Sequence, residues 1–205
     1  MCRGKLLVIS GPSGAGKGTV CKRLLEDLDN LRFSVSMTTR SPRKGEVEGK
    51  NYYFVSREEF EKGIKSDSFL EYAMVFDNYY GTPKEMVMEA LNNGIDVVLE
   101  IDTQGALQVK ERFEEAILIF ILPPSMKELR NRIVNRATED EDKIAKRLGE
   151  AIGEIRSSTE YDYIVLNDDL ELALNHVKSI ITAEHLKLTD DKAIEKIIKN
   201  FEEEI

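Results

Sequence analysis

The stretch GPSGAGKGT, Gly11 to Thr19, decides the fold. It follows the apolar run KLLVI, residues 5–9, and precedes VCKRLL, residues 20–25, which is typical of an amphipathic helix. In this strand–turn–helix context, the spacing of Gly11, Gly16 and Lys17 matches the phosphate-binding loop. The backbone N–H groups of such a loop face nucleotide oxygens, and its lysine reaches the β- and γ-phosphates. The sequence therefore predicts nucleotide binding by Gly11, Pro12, Ser13, Gly14, Ala15, Gly16, Lys17, Gly18 and Thr19.

One position departs from the loop pattern. The pattern has Ser or Thr directly after the lysine, where its hydroxyl holds Mg²⁺. This chain has Gly18 there, and the hydroxyl comes one position later, at Thr19. The loop by itself does not separate a kinase from a GTPase or an ATPase.

Length and composition bound the class of protein. The 205 residues include 41% hydrophobic side chains, enough for one folding unit with a sizeable core. A net charge of −9 argues against a nucleic-acid surface, so an anionic ligand must be met by local clusters of arginine and lysine. Two cysteines give no disulfide framework, the apolar run near the start is too short for a secretory signal, and no stretch reaches membrane-spanning length. We expect a cytoplasmic protein without a nucleic-acid or membrane partner.

Four short apolar runs separated by helical stretches predict buried strands. They are Leu6–Ile9, Val97–Ile101, Ile117–Leu122 and Tyr163–Leu166. Alternating strands and helices predict an α/β fold with a mostly parallel sheet flanked by helices. Ligands of such sheets bind at the carboxyl ends of the strands, where Gly11, Asp102, Pro123 and Asn167 fall.

Two segments depart from this α/β texture. Between the first helix and Pro83, the runs FSVSMTTR and KNYYFVS alternate in character and are broken by turn glycines, which predicts a small inserted antiparallel lobe. After the third strand, Arg132 and Arg136 lie four residues apart on one predicted helix, and a second helix carries Arg147. Three arginines on a helix–turn–helix favour a mobile cover over phosphates; a solvated arginine face is the alternative.

The inserted lobe carries a second candidate anion site. Arg40 and Arg43 can form planar forks suited to one phosphate, and Tyr52 offers a phenol donor beside them. Tyr80 in NYYGTP is a further candidate for the same phosphate.

Glu71, in the apolar run FLEYA, indicates the base. A carboxylate there can accept the two parallel N–H bonds that guanine offers and adenine lacks, and hydroxyls at Ser36 and Thr82 could donate to guanine O6. Taken singly, Ser36 and Thr82 are more simply ordinary strand and turn residues.

The chain resembles the guanylate kinases. The resemblance covers about residues 4–186 and is carried by GPSGAGKGT, FSVSMTTRSPRKGEVEGKNYYFV, FLEYA, NYYGTP, LEIDTQG and NDDL, in this order and spacing. It implies a P-loop nucleoside monophosphate kinase fold that transfers the γ-phosphate of ATP to GMP, with Mg²⁺, giving ADP and GDP. The implied parts are a core (1–33, 84–124 and 155–186), a GMP-binding β lobe (34–83) and a helical lid (125–154). ATP and GMP are the implied partners, dGMP is expected as well, and the assembly is a monomer or a homodimer.

The resemblance also assigns roles to single residues by motif. On the acceptor side, Ser36, Glu71 and Thr82 would hold guanine, and Arg40, Arg43, Tyr52 and Tyr80 would hold the GMP phosphate. On the donor side, Arg132 would pack on adenine with Asn167 nearby, and Lys17, Arg136 and Arg147 would act on the transferring phosphate. Asp102 would lie between the water shell of the metal and the acceptor nucleotide. Because Gly18 replaces the Ser of the GKST form common in the family, we expect Mg²⁺ to be held through water by Thr19 and Asp102.

Two other classes stay open at this point. One is a different small-molecule kinase, such as an adenylate or ribose-phosphate kinase, against which Glu71 with Ser36 and Thr82 argues because those groups fit guanine. The other is the guanylate-kinase-like binding module of scaffold proteins, which typically has a degraded phosphate loop and companion domains.

The tail, residues 187–205, continues past the resemblance. Ile194, Ile197, Ile198, Phe201 and Ile205 recur at helical spacing after the start signal TDD, residues 189–191, which predicts an amphipathic helix. Its apolar stripe is expected either to pack on the chain's own core or to meet a second chain.

Overall fold

The computed structural model describes residues 3–136, 141–187 and 191–203, and within these ranges it leaves out the side chains of 135–136, 141–143, 191–194 and 196–197. The strands are β1 Leu6–Ser10, β2 Leu31–Phe33, β3 Met37–Thr38, β4 Tyr53–Phe54, β5 Phe69–Val75, β6 Asn78–Pro83, β7 Asp96–Glu100, β8 Ile117–Leu122 and β9 Tyr163–Leu166. The helices are α1 Lys17–Asp27, α2 Arg57–Lys65, α3 Lys84–Asn92, α4 Thr103–Arg112, α5 Met126–Arg136, α6 Glu141–Arg156, α7 Leu170–Leu186 and α8 Asp191–Glu203, with a short 3₁₀ turn at Ser157–Glu160.

The central sheet is parallel, in the order β2-β7-β1-β8-β9. The predictions for β8 and β9 are confirmed to the residue, and β1 extends one residue further than predicted, to Ser10. The prediction for β7 was wrong by one residue at each end, because Asp96 enters the ladder opposite Leu31 while Ile101 has left it. Strand β2 was not predicted, because its three residues, two of them exposed, are too few to show the apolar pattern of a strand.

Both faces of the sheet are covered, which explains why its strands read as continuous apolar runs. On one face, α1 and α7 pack through buried side chains such as Val20, Leu24 and Val177. On the other face, α3 and α4 pack through side chains such as Val87 and Val109. Cys21 is a buried free thiol in the first of these layers, where it packs as a small apolar residue.

The inserted segment forms a second, four-stranded sheet in the order β4-β3-β6-β5. The predicted antiparallel arrangement is correct for β3 with β6 and for β5 with β6, but β3 and β4 are parallel. Helix α2 was not predicted within this lobe. It begins at a capping box in which Ser56 and Glu59 satisfy each other's backbone N–H groups.

The arginine-rich segment is helical, as predicted. Ser125 Oγ accepts the Glu128 N–H at 3.1 Å, which caps the start of α5. Leu129 and Ile133 of α5 form a small buried cluster with Ile144 and Ala151 of α6. The two helices therefore pack as one unit.

The tail forms helix α8, Asp191–Glu203, as the apolar spacing predicted. Of the stripe, Ile198 is 49% exposed and Phe201 is 65% exposed, while the side chains of Ile194, Ile197 and Ile205 and the start-signal residues 189–190 lie outside the described residues. The described part of the stripe thus buries little apolar surface.

No helix in the described ranges combines the length and the apolar character that crossing a membrane would require.

Removing residues 188–205 should leave the rest of the protein folded with a nearly unchanged thermal midpoint, because Ile198 and Phe201 lose little burial. We expect a shift below about 4 °C, the size that roughly 1 kcal/mol produces in a chain of this length. A melting curve and light scattering on the truncated and full-length chains measure this. A larger drop at constant mass would mean that the tail packs on the core, and a halved mass would mean that it joins two chains.

Candidate active site

The glycine-rich loop lies at the carboxyl end of β1, and Lys17 is the first residue of α1. The Lys17 Nζ donates to the Gly11 carbonyl at 2.6 Å and approaches the Pro12 carbonyl at 3.3 Å, so the ammonium group is folded back onto its own loop. Burial lowers the pKa of Lys17, and the nearby Glu100 and Glu154 carboxylates oppose that shift. The lysine is therefore a partly desolvated cation held beside the helix N-terminus, where a phosphate would bind.

Two carboxylates beside the loop were not anticipated from the sequence. Glu100 ends β7, and a Cβ placed on Gly18 would stand 3.4 Å from its Oε1, so the carboxylate lies against the residue that departs from the loop pattern. Glu154, on α6, lies near the Ser13 backbone, and burial raises the pKa of its carboxyl group. An anion entering the loop meets these carboxylates as well as Lys17.

Asn167, at the end of β9, holds the far side of the loop. Its Nδ2 donates to the Ala15 carbonyl at 2.8 Å, and a Cβ on Gly16 would come within 2.4 Å of that nitrogen. Since Gly16 also has φ +99, both its backbone conformation and the close approach require glycine.

Arg132 connects the lid helix α5 to the same place. Its Nε pairs with Glu128 at 3.0 Å, its Nη1 approaches the Ala15 carbonyl at 3.4 Å, and its Nη2 donates to the Asn167 carbonyl at 3.2 Å. A cleft of about 400 Å³ opens here, within the usual size range for ligand pockets. Its lining residues are Gly14, Gly16, Thr19, Arg132, Asn167, Asp168 and Leu170.

Glu71 and Thr82 form a buried polar pair in the inserted lobe. They face each other across β5 and β6, and the Thr82 Oγ1 donates to the Glu71 Oε1 at 2.6 Å. Glu71 is 6% exposed and Thr82 is fully buried. Burial raises the pKa of Glu71, although the Thr82 hydrogen bond opposes the shift. In this structure the Thr82 hydroxyl proton is committed to Glu71, so a bond to a base oxygen would require the hydroxyl to rotate.

The first turn of α4 brings this lobe against the core. A Cβ on Gly105 would lie 3.2 Å from the second Glu71 oxygen, so the carboxylate approaches α4 closely because that position has no side chain. Asp102 caps the same helix by accepting the Gly105 N–H at 2.8 Å. Asp102 also contributes to the electrostatics of both Glu71 and Lys17. An Asp102 oxygen lies 3.4 Å from the same Gly105 Cβ position as Glu71, and Asp102 follows β7, which pairs with β1, so it lies near both the lobe site and the loop site.

Arg40 is the centre of the candidate anion site in the lobe. Its guanidinium carbon lies 5.5 Å from the centre of the Tyr52 ring, and the hydrogen bonds that it donates to the Glu46 carboxylate raise the pKa of Arg40, with the Tyr80 phenol contributing. The Tyr52 and Tyr80 rings meet edge to face, with centroids 5.9 Å apart. Arg43 is exposed, and its backbone N–H donates to Glu46 at 2.7 Å.

The structure thus brings the sequence-predicted residues into two clusters. The loop cluster contains Lys17, Thr19, Arg132 and Asn167; the lobe cluster contains Arg40, Tyr52, Glu71, Tyr80 and Thr82; Asp102 lies near both. Ser36 is partly buried next to β4, its carbonyl accepting the Tyr53 N–H. Arg147 is partly buried on α6, and Arg136 ends α5 with a side chain outside the described residues.

Sequence reasoning missed three carboxylates, Glu46, Glu100 and Glu154. A partial signal existed for Glu154, which lies seven residues after Arg147 and so on the same helical face. Glu46 lies in the segment FSVSMTTRSPRKGEVEGKNYYFV, but no role for it was predicted from the sequence. No short-range pattern points to Glu100, because its approach to Gly18 depends on how β7 pairs with β1.

Comparison with known proteins gives consistent matches over nearly the whole chain. The family described as guanylate kinase matches residues 3–184. The chain is 56% identical over 190 residues to the guanylate kinase of Caldanaerobacter subterraneus subsp. tengcongensis, covering 93% of this chain and 92% of that protein. It is 52% identical over 203 residues to the guanylate kinase of Clostridioides difficile, covering 99% and 98%. The crystal structure of guanylate kinase from Anaplasma phagocytophilum matches with a TM-score of 0.70 at 40% identity, over 91% of this chain and 88% of that one.

Glu71→Gln should raise the thermal midpoint at neutral pH. The pKa of Glu71 is raised in the folded state, so this carboxyl favours folding below its unfolded-state pKa, and that contribution is lost as pH rises through the folded pKa. The amide keeps the Thr82 bond without a buried charge. Melting curves of both proteins from mildly acidic to neutral pH check this, and the gap should narrow as pH falls. A lower thermal midpoint of the variant than of the parent at neutral pH would contradict the predicted stabilisation.

Proposed function

The chain belongs to the guanylate kinase family and transfers the γ-phosphate of ATP to GMP, giving ADP and GDP; we propose that its loop cluster holds ATP and its lobe cluster holds GMP. The observation that carries this assignment is the position of Asp102, which caps α4 beside Glu71 of the lobe and follows β7, the strand that pairs with β1 before the loop. Two anion sites that share one intervening carboxylate suit a reaction between two nucleotides.

ATP, in this proposal, lies with its phosphates on residues 11–19 and its adenine in the cleft beside Arg132 and Asn167. The 400 Å³ cleft runs from Gly14 and Thr19 toward these two side chains, which supports that direction. Lys17 now donates to carbonyls of its own loop, so it would exchange those bonds for phosphate oxygens. Such an exchange lets the cation stay partnered at every stage.

GMP, in this proposal, places guanine against Glu71, with Ser36 and Thr82 at the base edge. The Glu71 carboxylate would accept the N1–H and the amino group of guanine, a donor pair that adenine lacks. Burial of the pair supports discrimination, because a base without those donors would leave a buried carboxylate unpaired. The phosphate of GMP would lie on Arg40, Arg43, Tyr52 and Tyr80.

Catalysis, in this proposal, is alignment and charge neutralisation. Phosphoryl transfer leaves a protein little covalent work, so Lys17, Arg136 and Arg147 would stabilise charge on the moving group while the lid excludes water. The packing of α5 on α6 supports a lid that moves as one body. The net charge of −9 suits this arrangement, because positive charge is needed only where the phosphates meet.

The donor set fits a magnesium ion held mainly by substrate. Among the residues described, no three His, Cys, Asp or Glu side chains converge as a metal cage. Magnesium in kinases usually keeps several waters and takes one or two carboxylates together with nucleotide phosphates. We propose that Thr19, which lines the cleft, and Asp102 hold it through water. When bound, the ion neutralises charge on the β- and γ-phosphates.

Three further assignments belong to the proposal. dGMP should be accepted, because none of the proposed contacts to guanine and phosphate involves the 2′-hydroxyl. A cytoplasmic site of action fits the need for ATP and GMP and the free buried thiol of Cys21. The assembly is a monomer or a homodimer.

Glu71→Gln should lower the use of GMP far more than the binding of ATP. The amide keeps one acceptor contact to guanine and turns an NH₂ group against the other donor, at a cost on the order of 1–3 kcal/mol in kcat/KM. A coupled assay of ADP formation with GMP, AMP, UMP and CMP in turn tests both the substrate and the residue. Glu58→Gln, an exposed carboxylate of the same lobe, is the matched control. If the variant uses ATP and GMP equally less well, Glu71 does not bind guanine. If the parent protein prefers another nucleoside monophosphate, the proposed function is wrong.

Lys17→Ala and Arg147→Ala should depress kcat more than nucleotide affinity, because their contacts strengthen as charge develops on the moving phosphate. Losing one such donor typically costs roughly 10²–10³-fold in kcat. Steady-state kinetics and ATP titrations separate the two effects. Lys22→Ala and Lys146→Ala, exposed lysines on α1 and α6, control for the loss of positive charge. Normal turnover in either test variant would show that its assigned role is wrong.

A further inference from the structure

Arg40 and Glu46 form a two-pronged ion pair in the inserted lobe. The Arg40 Nη1 donates to the Glu46 Oε2 at 3.0 Å, and the Nη2 donates to the Oε1 at 2.9 Å. Both side chains are mostly buried, at 14% and 18% exposure. The Arg43 N–H donates to the same Glu46 oxygen at 2.7 Å, which fixes the carboxylate from the backbone side. The pair is therefore a well-ordered, bidentate ion pair and differs from a solvent-exposed surface ion pair.

The remaining surroundings of Arg40 also fix its plane. Its Nη1 donates to the Ser41 carbonyl at 2.8 Å, and the guanidinium lies near the Tyr52 and Phe54 rings, at 5.5 and 5.9 Å from their centres. The Tyr80 phenol stands beside it. Within the described residues, the Arg40 Nε is buried and has no hydrogen-bond partner. One donor of a tightly held guanidinium is thus left without an acceptor.

The geometry of the guanidinium group determines which pair of its N–H donors remains available to an anion. A planar guanidinium offers two forks: an end fork made by Nη1 and Nη2, and a side fork made by Nε and Nη2. Glu46 takes the end fork, and the Ser41 carbonyl takes the second hydrogen of Nη1. The unpartnered Nε belongs to the side fork, whose two N–H bonds point in the same direction and match two oxygens of one phosphate.

We propose that Glu46 is a positioning residue for the acceptor nucleotide: by holding the end fork of Arg40, it turns the side fork toward the phosphate of GMP. This inference rests on the proposed function, in which Arg40 binds that phosphate. Glu46 acts through Arg40 and has no contact with the substrate in this proposal.

If Glu46 acted only through its negative charge, replacing it would have the opposite effect on GMP binding from the one that the positioning role predicts. Glu46 is an anion beside a site for an anion, and a hydrogen bond from Arg40 keeps the pKa of its carboxyl group below the ordinary range, so it is ionised at neutral pH. If charge alone mattered, its neutral replacement would tighten GMP binding. If orientation matters more, the same replacement weakens it.

The first experiment is Glu46→Gln, an isosteric change that removes one acceptor and sets an NH₂ group against the guanidinium. We expect the KM for GMP to rise roughly tenfold or more, the lower end of what losing an orienting partner costs, with kcat changed far less. Inhibition by guanosine, which lacks the phosphate, and the KM for ATP should stay unchanged. Glu48→Gln is the matched control, because Glu48 accepts the Phe54 N–H in the same loop and has no contact with Arg40 in the structure. An unchanged or lowered KM for GMP in Glu46→Gln would overturn the proposal.

A double-mutant cycle with Arg40→Lys separates positioning from a general structural role. Lysine has no fork to orient, so Glu46→Gln should add less than about twofold to the KM for GMP in that background. If Glu46→Gln raises the KM for GMP by the same factor in the Arg40→Lys background as in the parent, Glu46 only maintains the fold of the lobe. The same conclusion follows if Glu46→Gln also weakens inhibition by guanosine. If Arg40→Lys itself leaves the KM for GMP unchanged, the proposed phosphate site is wrong. If Arg40→Lys raises that KM and Glu46→Gln does not, the site stands and the role of Glu46 is wrong.

Discussion

Burial of the parallel sheet on both faces is the constraint on which the site depends. Helices cover the strands from either side, so loops at the carboxyl ends are the places where polar residues can gather. The glycine-rich loop follows β1, Asp102 follows β7 and Asn167 follows β9; in the sheet order β2-β7-β1-β8-β9, β7 is next to β1 and β9 is separated from β1 only by β8. Residues more than 150 positions apart, such as Ala15 and Asn167, are thereby within hydrogen-bond distance.

Three cations of the described residues, Lys17, Arg40 and Arg132, already have a carboxylate or carbonyl partner. Lys17 bonds to its own loop near Glu100 and Glu154, Arg40 pairs with Glu46, and Arg132 pairs with Glu128. A partly buried cation needs such partners, because leaving it unpaired is costly in a low-dielectric setting. In the proposed sites, these carboxylates would also orient the remaining donors of the cations. The proposed phosphate sites of this acidic chain would thus be arranged by acidic residues as well as by basic ones.

The buried carboxylate of Glu71 shows the tension between recognition and stability. In the proposed guanine site, Glu71 would have to be ionised to accept both guanine donors, yet it is held where burial raises its pKa. The hydrogen bonds from Thr82 and the charge of Arg112 offset part of that cost. Such local conflicts are expected at functional sites, since a residue optimised for packing alone could not distinguish one base from another.

The sequence by itself determined the elements whose signals are local. The phosphate loop, strands β8 and β9, the helix that carries Arg132 and the helical tail follow from spacing of a few residues, because backbone geometry and amphipathic periodicity repeat over short distances. The ordered motifs also indicated the family. Tertiary structure alone decided the contacts between distant segments: the parallel pairing of β3 with β4, the approach of Glu100 to Gly18, and the approach of Glu154 to the loop. It also decided which edge of Arg40 is free, because a hydrogen-bond partner is fixed by distance and direction in space, and those depend on how the loop from Arg40 to Phe54 closes on itself.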